Sequence, residues 1–240
     1  MRNKHFISFE TLVPAYRPGH PQTVAIFEAL AEGFNVTVTE DHRRYWRNLL
    51  VISRAIDTMT DTENPASLQH ESDRLINGQA IVGVSDDEAK EFSTFIQTLS
   101  IEHQATIQQG LAITHYAAAM RRTRGYTQFM HLRTEEAELF GTIMQLDNPD
   151  NKPEISNFNA WLPKFARAGY VIDSFGDFTQ DYKDDQIALR PTLRRRARMA
   201  AAALAETRHA ASDLPPRTIA FLAVASLSKM ARNGLSKIKQ

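Results

Sequence analysis

Apolar residues recur at spacings of three and four along most of this chain, the pattern of a helix with one face turned inward. The periodicity predicts helices over Gln22–Glu32, Thr39–Thr60, Pro65–Asn77, Asp86–Leu99, Ile101–Arg122, Tyr126–Gln145, Asn159–Asp181, Pro191–Ala211 and Pro216–Lys237. Pro65, Pro191 and Pro216 suit first-turn positions, where a missing amide hydrogen costs nothing. Asn64-Pro65, the run from Asp147 to Pro153 and the run from Asp213 to Pro216 read as loops. Only Ala80–Val84 has strand character, and then as an edge strand. Glycine and proline are sparse, ten each, and sit mostly between the periodic segments. With no repeat at a fixed period and no low-complexity linker, the expected architecture is all-α, a single domain over residues 1–240.

Composition narrows the function classes. The 42% hydrophobic and 23% charged fractions are those of a globular chain long enough to enclose a pocket. Lys plus Arg equals Asp plus Glu at 28 each, so no global field favours nucleic acid, and none is expected as a partner. Cysteine is absent, which excludes disulfides, cysteine nucleophiles and thiolate metal sites. No transmembrane segment is expected, since no window approaches 18 uninterrupted apolar residues. The first twelve residues carry no apolar signal-like core, and the expected compartment is the cytoplasm. The apolar stretch from Thr218 to Ile238, with its scattered lysines, reads as a packed last helix or as one grazing a membrane.

The aspartates carry the chemical signal. Fourteen of them in 240 residues yield about one Asp-x-x-x-Asp pair by chance, whereas the chain has four, at 57/61, 173/177, 177/181 and 181/185. On a helix this spacing stacks carboxylates one turn apart on one face, where they repel unless a cation lies between them. Asp57 and Asp61 follow Leu50, Val51, Ile52 and Ile56, and Asp173 and Asp177 stand among Tyr170, Val171, Ile172, Phe175 and Phe178. Carboxylates in apolar helices are costly to desolvate unless they pair with cations or line a wet cavity. Ala166, Gly169, Asp173, Gly176, Asp177 and Gln180 share roughly one face, and small residues beside carboxylates suit a cavity wall. The other reading of both runs is a solvated face of an amphipathic helix. Asp184 and Asp185, past the apolar stretch, read as solvated loop charges.

These segments resemble the class I, all-α isoprenoid synthases, above all the squalene/phytoene synthase branch and the bacterial terpene cyclases. The run from Arg54 to Asp61, RAIDTMTD, is similar to that branch's Arg-x-Ile-Asp-Asp-x-x-Asp helix. Asp173, Asp177 and Asp181 resemble its Asn-x-x-x-Asp-x-x-x-Asp helix and share the spacing of the cyclases' metal triad. The segment from Met130 to Glu138 is similar to the cyclase segment whose arginine, Arg133 here, senses diphosphate. Thr58 stands where the squalene/phytoene branch has a second aspartate, and Gly176 where it has an arginine, which weighs against head-to-head coupling. The resemblance implies a helical bundle around a central cavity, Mg²⁺ as cofactor, and a prenyl diphosphate such as farnesyl or geranylgeranyl diphosphate as substrate.

On that reading the metal ligands are Asp57, Asp61, Asp173, Asp177 and Asp181, and Arg133 joins them as a catalytic residue. Arginine suits the remaining phosphate oxygens because its planar fork makes two charge-assisted bonds at once. Arg133 is the first choice for that role, with Arg54, Arg190 and Arg194 next. Arg54 equally suits an ion pair with Asp57, and the run from Arg194 to Arg198 a solvated face. The carbocation left after ionisation needs a dry aromatic wall, for which Trp46, Leu50, Phe129, Phe140, Phe165, Tyr170 and Phe178 are candidates or else core. The expected activity is a terpene synthase that cyclises or eliminates from a C15 or C20 cation. The alternatives are a prenyltransferase of the same fold or a non-catalytic helical binding protein. Oligomeric state stays open, with a homodimer among the options.

Overall fold

The computed structural model describes residues 21–50, 65–81, 84–110, 116 and 119–214. Its helices are α1 (Pro21–Gly33), α2 (residues 40–50), α3 (Pro65–Ile76), α4 (Asp86–Ile96), α5 (Ile101–Gly110), α6 (Tyr126–Ile143), α7 (Pro153–Lys183) and α8 (Leu193–Ala211). No strand occurs among the described residues, and the protein is all-helical there. Ile81 and Val84 exchange backbone hydrogen bonds of 3.3 and 3.0 Å across an isolated bridge, so Ala80–Val84 makes no edge strand. The reason is local. Ser85 immediately caps α4, accepting from the Glu88 amide while Glu88 reaches back to the Ser85 amide.

The other helix boundaries have similarly small causes. Thr39 accepts from the His42 amide at 3.2 Å at the start of α2. Gly78, with φ of +73°, ends the turn after α3, and its amide and that of Gln79 cap the carbonyls of Leu75 and Arg74. Pro65 does open α3, but Pro191 lies one residue before the Thr192 cap and Leu193 opens α8. The helix expected from Asn159 begins six residues earlier, at Pro153. Asn148 closes that start, accepting from the Lys152 amide at 2.9 Å and donating to Ser156 at 2.9 Å. The helices expected past residue 50 toward Thr60 and over Pro216–Lys237, and residues 111–115 and 117–118 of the one expected over Ile101–Arg122, lie outside the described residues.

Helix α7, 31 residues long, packs against both α6 and α8. Its interior proline, Pro163, lacks an amide hydrogen and meets α6 at Gly141. A Cβ at Gly141 would stand 2.5 Å from the Pro163 Cα, so only glycine permits the two backbones to approach this closely.

Two hydrophobic clusters lie at the two ends of this arrangement. The larger joins Leu30, Trp46, Leu75, Phe92 and Ile107 to Phe158 and Trp161 from the first half of α7. The smaller joins Phe129, Phe178, Ile187, Leu189 and Met199, around the second half. The second half of α7 also carries the acidic run from Asp173 to Asp181.

Candidate functional site

The acidic run occupies the second half of α7, as the spacing predicts, and the helix holds its carboxylates one turn apart. Asp173 and Asp177 are exposed. A Cβ at Gly169 or Gly176 would meet nothing within 4 Å, so this face opens on free space, while Ala166, one turn earlier, is buried. Asp181 is half-buried, and its carboxyl is pushed up to about 6, chiefly by burial. Asp177, Asp173 and Asp184 push it the same way, against the pull of the Arg133 guanidinium. Past them Gln180 donates to both Asp184 oxygens, at 2.9 and 2.8 Å, and Asp184 and Asp185 are exposed.

Arg133 projects from α6 toward this run. Its Nη1 donates to Glu136 at 2.8 Å, and its guanidinium lies 5.8 Å from the centre of the Tyr170 ring on α7. Burial disfavours its charge, but Glu136, Tyr170 and Asp181 together outweigh that and hold its pKa above the ordinary arginine value. Its Nε is buried with no hydrogen-bond partner among the described residues. Ser174, one turn after Tyr170, is buried, and its hydroxyl likewise has no partner. Beside them Arg167 ties the three long helices together, donating to Glu138 of α6 at 2.6 Å and to Glu206 of α8 at 2.7 Å. Arg133, Asp181 and Tyr170 are thus brought together. An anion reaching Arg133 must share it with Glu136.

The remaining predicted residues fall elsewhere. Trp46 is fully buried, donates to the Met144 carbonyl at 3.1 Å and packs with Phe27, and Leu50 belongs to the same cluster. Phe165 stacks on Trp161 with ring centres 4.9 Å apart, and Phe140 meets Tyr170 at 5.6 Å. Phe129 and Phe178 pack on each other in the smaller cluster. Arg190 and Arg194 are exposed, and the arginine run touches α7 through Arg196, which donates to Thr179. Arg54, Asp57 and Asp61 lie outside the described residues. Among the described residues no three His, Asp or Glu side chains converge where a single metal ion would sit.

Of the acids near Arg133 in sequence, Glu135, Glu136 and Glu138, it is Glu136 that pairs with it, residues three apart facing each other on a helix. One feature has no signal in the sequence. It is a buried network at the opposite end, where Tyr45 donates to the Ile143 carbonyl and His103 Nε2 lies 2.7 Å from the same hydroxyl. Burial raises the Tyr45 pKa well above its usual value and lowers that of His103. Comparison of the chain with protein-family models, curated proteins and solved structures finds no match.

Proposed function

We propose that this protein is a Mg²⁺-dependent class I terpene synthase, a single cytoplasmic domain that ionises farnesyl or geranylgeranyl diphosphate, with the carboxylates of α7 and Arg133 at its reacting end and Asp57 and Asp61 as further metal ligands. The observation that supports it is Asp181, a carboxylate raised to about 6 in a run with Asp177 and Asp173 and facing the cationic Arg133. Carboxylates one turn apart on a helix face suit a metal cation, and the planar fork of Arg133 suits phosphate oxygens; metal diphosphate matches both. Mg²⁺ is commonly held by one or two carboxylates with substrate phosphates and water, so the donor set here fits without a cage of three protein ligands. Asp173, Asp177 and Asp181 would hold Mg²⁺ ions through one or two carboxylates each, and the bound metal would supply Lewis acidity to the leaving group. Arg133 binds and orients the diphosphate through its two-pronged fork, and Tyr170 holds the guanidinium in place.

The test is incubation with geranyl, farnesyl and geranylgeranyl diphosphates and Mg²⁺, following pyrophosphate release and extractable hydrocarbon. Release from one of these alone is expected. Arg133→Lys keeps the charge and loses the fork, and should lower turnover about tenfold or more with the melting temperature kept. Release only in the presence of an acceptor would make the protein a prenyltransferase. No release from any substrate would refute the reading.

A further inference from the structure

The chain's zero net charge conceals a strong asymmetry. From residue 186 to the end there are eleven Lys and Arg against two acids, Glu206 and Asp213, a local net charge of +9. Both acids are engaged by cations of α7, Glu206 by Arg167 and Asp213 by Lys164. Arg190, Arg194, Arg198 and Arg208 form no ion pair with any carboxylate among the described residues.

Helix α8 displays this charge outward. Met199, Ala203 and Ala210 turn inward, which leaves Leu193, Ala197, Ala201 and Leu204 on the opposite side in one stripe, with Arg194, Arg198 and Arg208 along it. The two leucines are 86% and 74% exposed. A helix of ordinary solvated type carries acids and lysines on that side; this one carries apolar residues and arginines, with His209 at the flank and no acid. The basic loop before α6 joins the patch, because Arg195 donates to the Arg124 carbonyl at 3.4 Å and Arg198 lies 4.2 Å over the Tyr126 ring.

We propose that the outward face of α8 is a docking surface for anionic lipid membrane, with the arginines against headgroups and Leu193 and Leu204 entering the interface. Charge complementarity requires an anionic occupant, and the leucine stripe requires an apolar one; an anionic bilayer surface is both. A nucleic acid meets the arginines but leaves the leucines in water. A second copy related by a two-fold axis would set arginine against arginine. The chain's own residues 215–240 contain no acid and five Lys or Arg, so they cannot complement the patch. This proposal does not depend on the diphosphate reading, and its readout is binding rather than turnover.

The experiment is flotation of the full chain with phosphatidylcholine vesicles, with and without phosphatidylserine. Binding only to the anionic vesicles is expected, weakening as salt rises. Arg194→Glu with Arg208→Glu should lower the partition coefficient about twentyfold or more, at about fivefold for each arginine lost. Leu193→Ser with Leu204→Ser should lower it about threefold or more and leave the melting temperature unchanged, since both side chains are already in water. Equal binding to neutral vesicles, no binding, or anionic binding that both variants retain would overturn the proposal. So would tight RNA or DNA binding without vesicle binding, or a dimer that the leucine variant dissolves in a protein that ignores vesicles.

Discussion

Around the first half of α7, buried polar groups close on fixed partners: Trp161 donates to the Ala210 carbonyl at 2.7 Å, Trp46 to Met144 at 3.1 Å, and Tyr45 to Ile143 with His103 beside it. From its midpoint onward, groups on the same helix and beside it are in conflict. Asp181 is pushed above its ordinary range by burial and by its acidic neighbours, and the Arg167 Nε, the Ser174 hydroxyl and, on α6, the Arg133 Nε are buried with no hydrogen-bond partner among the described residues. A satisfied buried polar group specifies a fold, and an unsatisfied one destabilises it by about 1–3 kcal/mol. One helix thus carries both kinds of region. Local conflict of this sort concentrates at functional sites, where a ligand resolves it.

Removing a hydroxyl from the satisfied end should have the largest effect. Tyr45→Phe keeps the ring among its neighbours but strips hydrogen-bond partners from His103 and the Ile143 carbonyl, and should cost about 1–3 kcal/mol in denaturant unfolding. A variant as stable as wild type would mean that this end is not held by its network. The pH dependence there has a definite sign. His103 is lowered in the folded chain by burial, so the unfolded chain takes up the proton first, and stability is lost as pH falls below the ordinary histidine value of 6.5.

The acidic end should respond the other way, and more weakly. Asp181 titrates near 6 in the folded chain against 3.8 ordinarily, so between those values the folded chain holds the extra proton. Stability should therefore fall as pH rises from about 4 to about 6 and stay low above. Asp181→Asn removes this penalty and should stabilise the protein by about 1 kcal/mol above pH 6, the full value being reduced by solvent screening of a half-exposed group. Below pH 4 the gain should vanish. Thermal melts across that range measure it, and a variant less stable than wild type at pH 7 would give Asp181 a structural role.

Much of this was legible along the chain, and the remainder was hidden for identifiable reasons. The helix-period pattern located the helices because each buries one face. The start of α7 at Pro153 was obscured because the turn-forming run from Asp147 ends on the same proline that begins the helix, and the closing bonds come from Asn148. The aspartate stack followed from spacing alone, since i to i+4 geometry is local. Which way Asp181 leans, and that Arg133 comes beside Tyr170, depended on how α6 lies against α7. That packing rests on Gly141 meeting Pro163, a contact between residues far apart in sequence. Trp46, Phe129 and Phe178 suited either pocket or core by composition; only packing shows them in the two clusters.

The proposal that the carboxylates of α7 bind metal and diphosphate is tested most directly by the melting temperature of wild type and Asp177→Asn, each with and without Mg²⁺ plus pyrophosphate. Asn keeps the shape of Asp and drops its charge, so the ligand-free variant should match wild type or exceed it by a few tenths of a kcal/mol as repulsion one turn away is relieved. At about a hundredfold excess over Kd the ligands should stabilise wild type by about 2.7 kcal/mol and the variant by clearly less. Equal ligand-induced shifts in the two proteins, or no shift in either, would contradict the account.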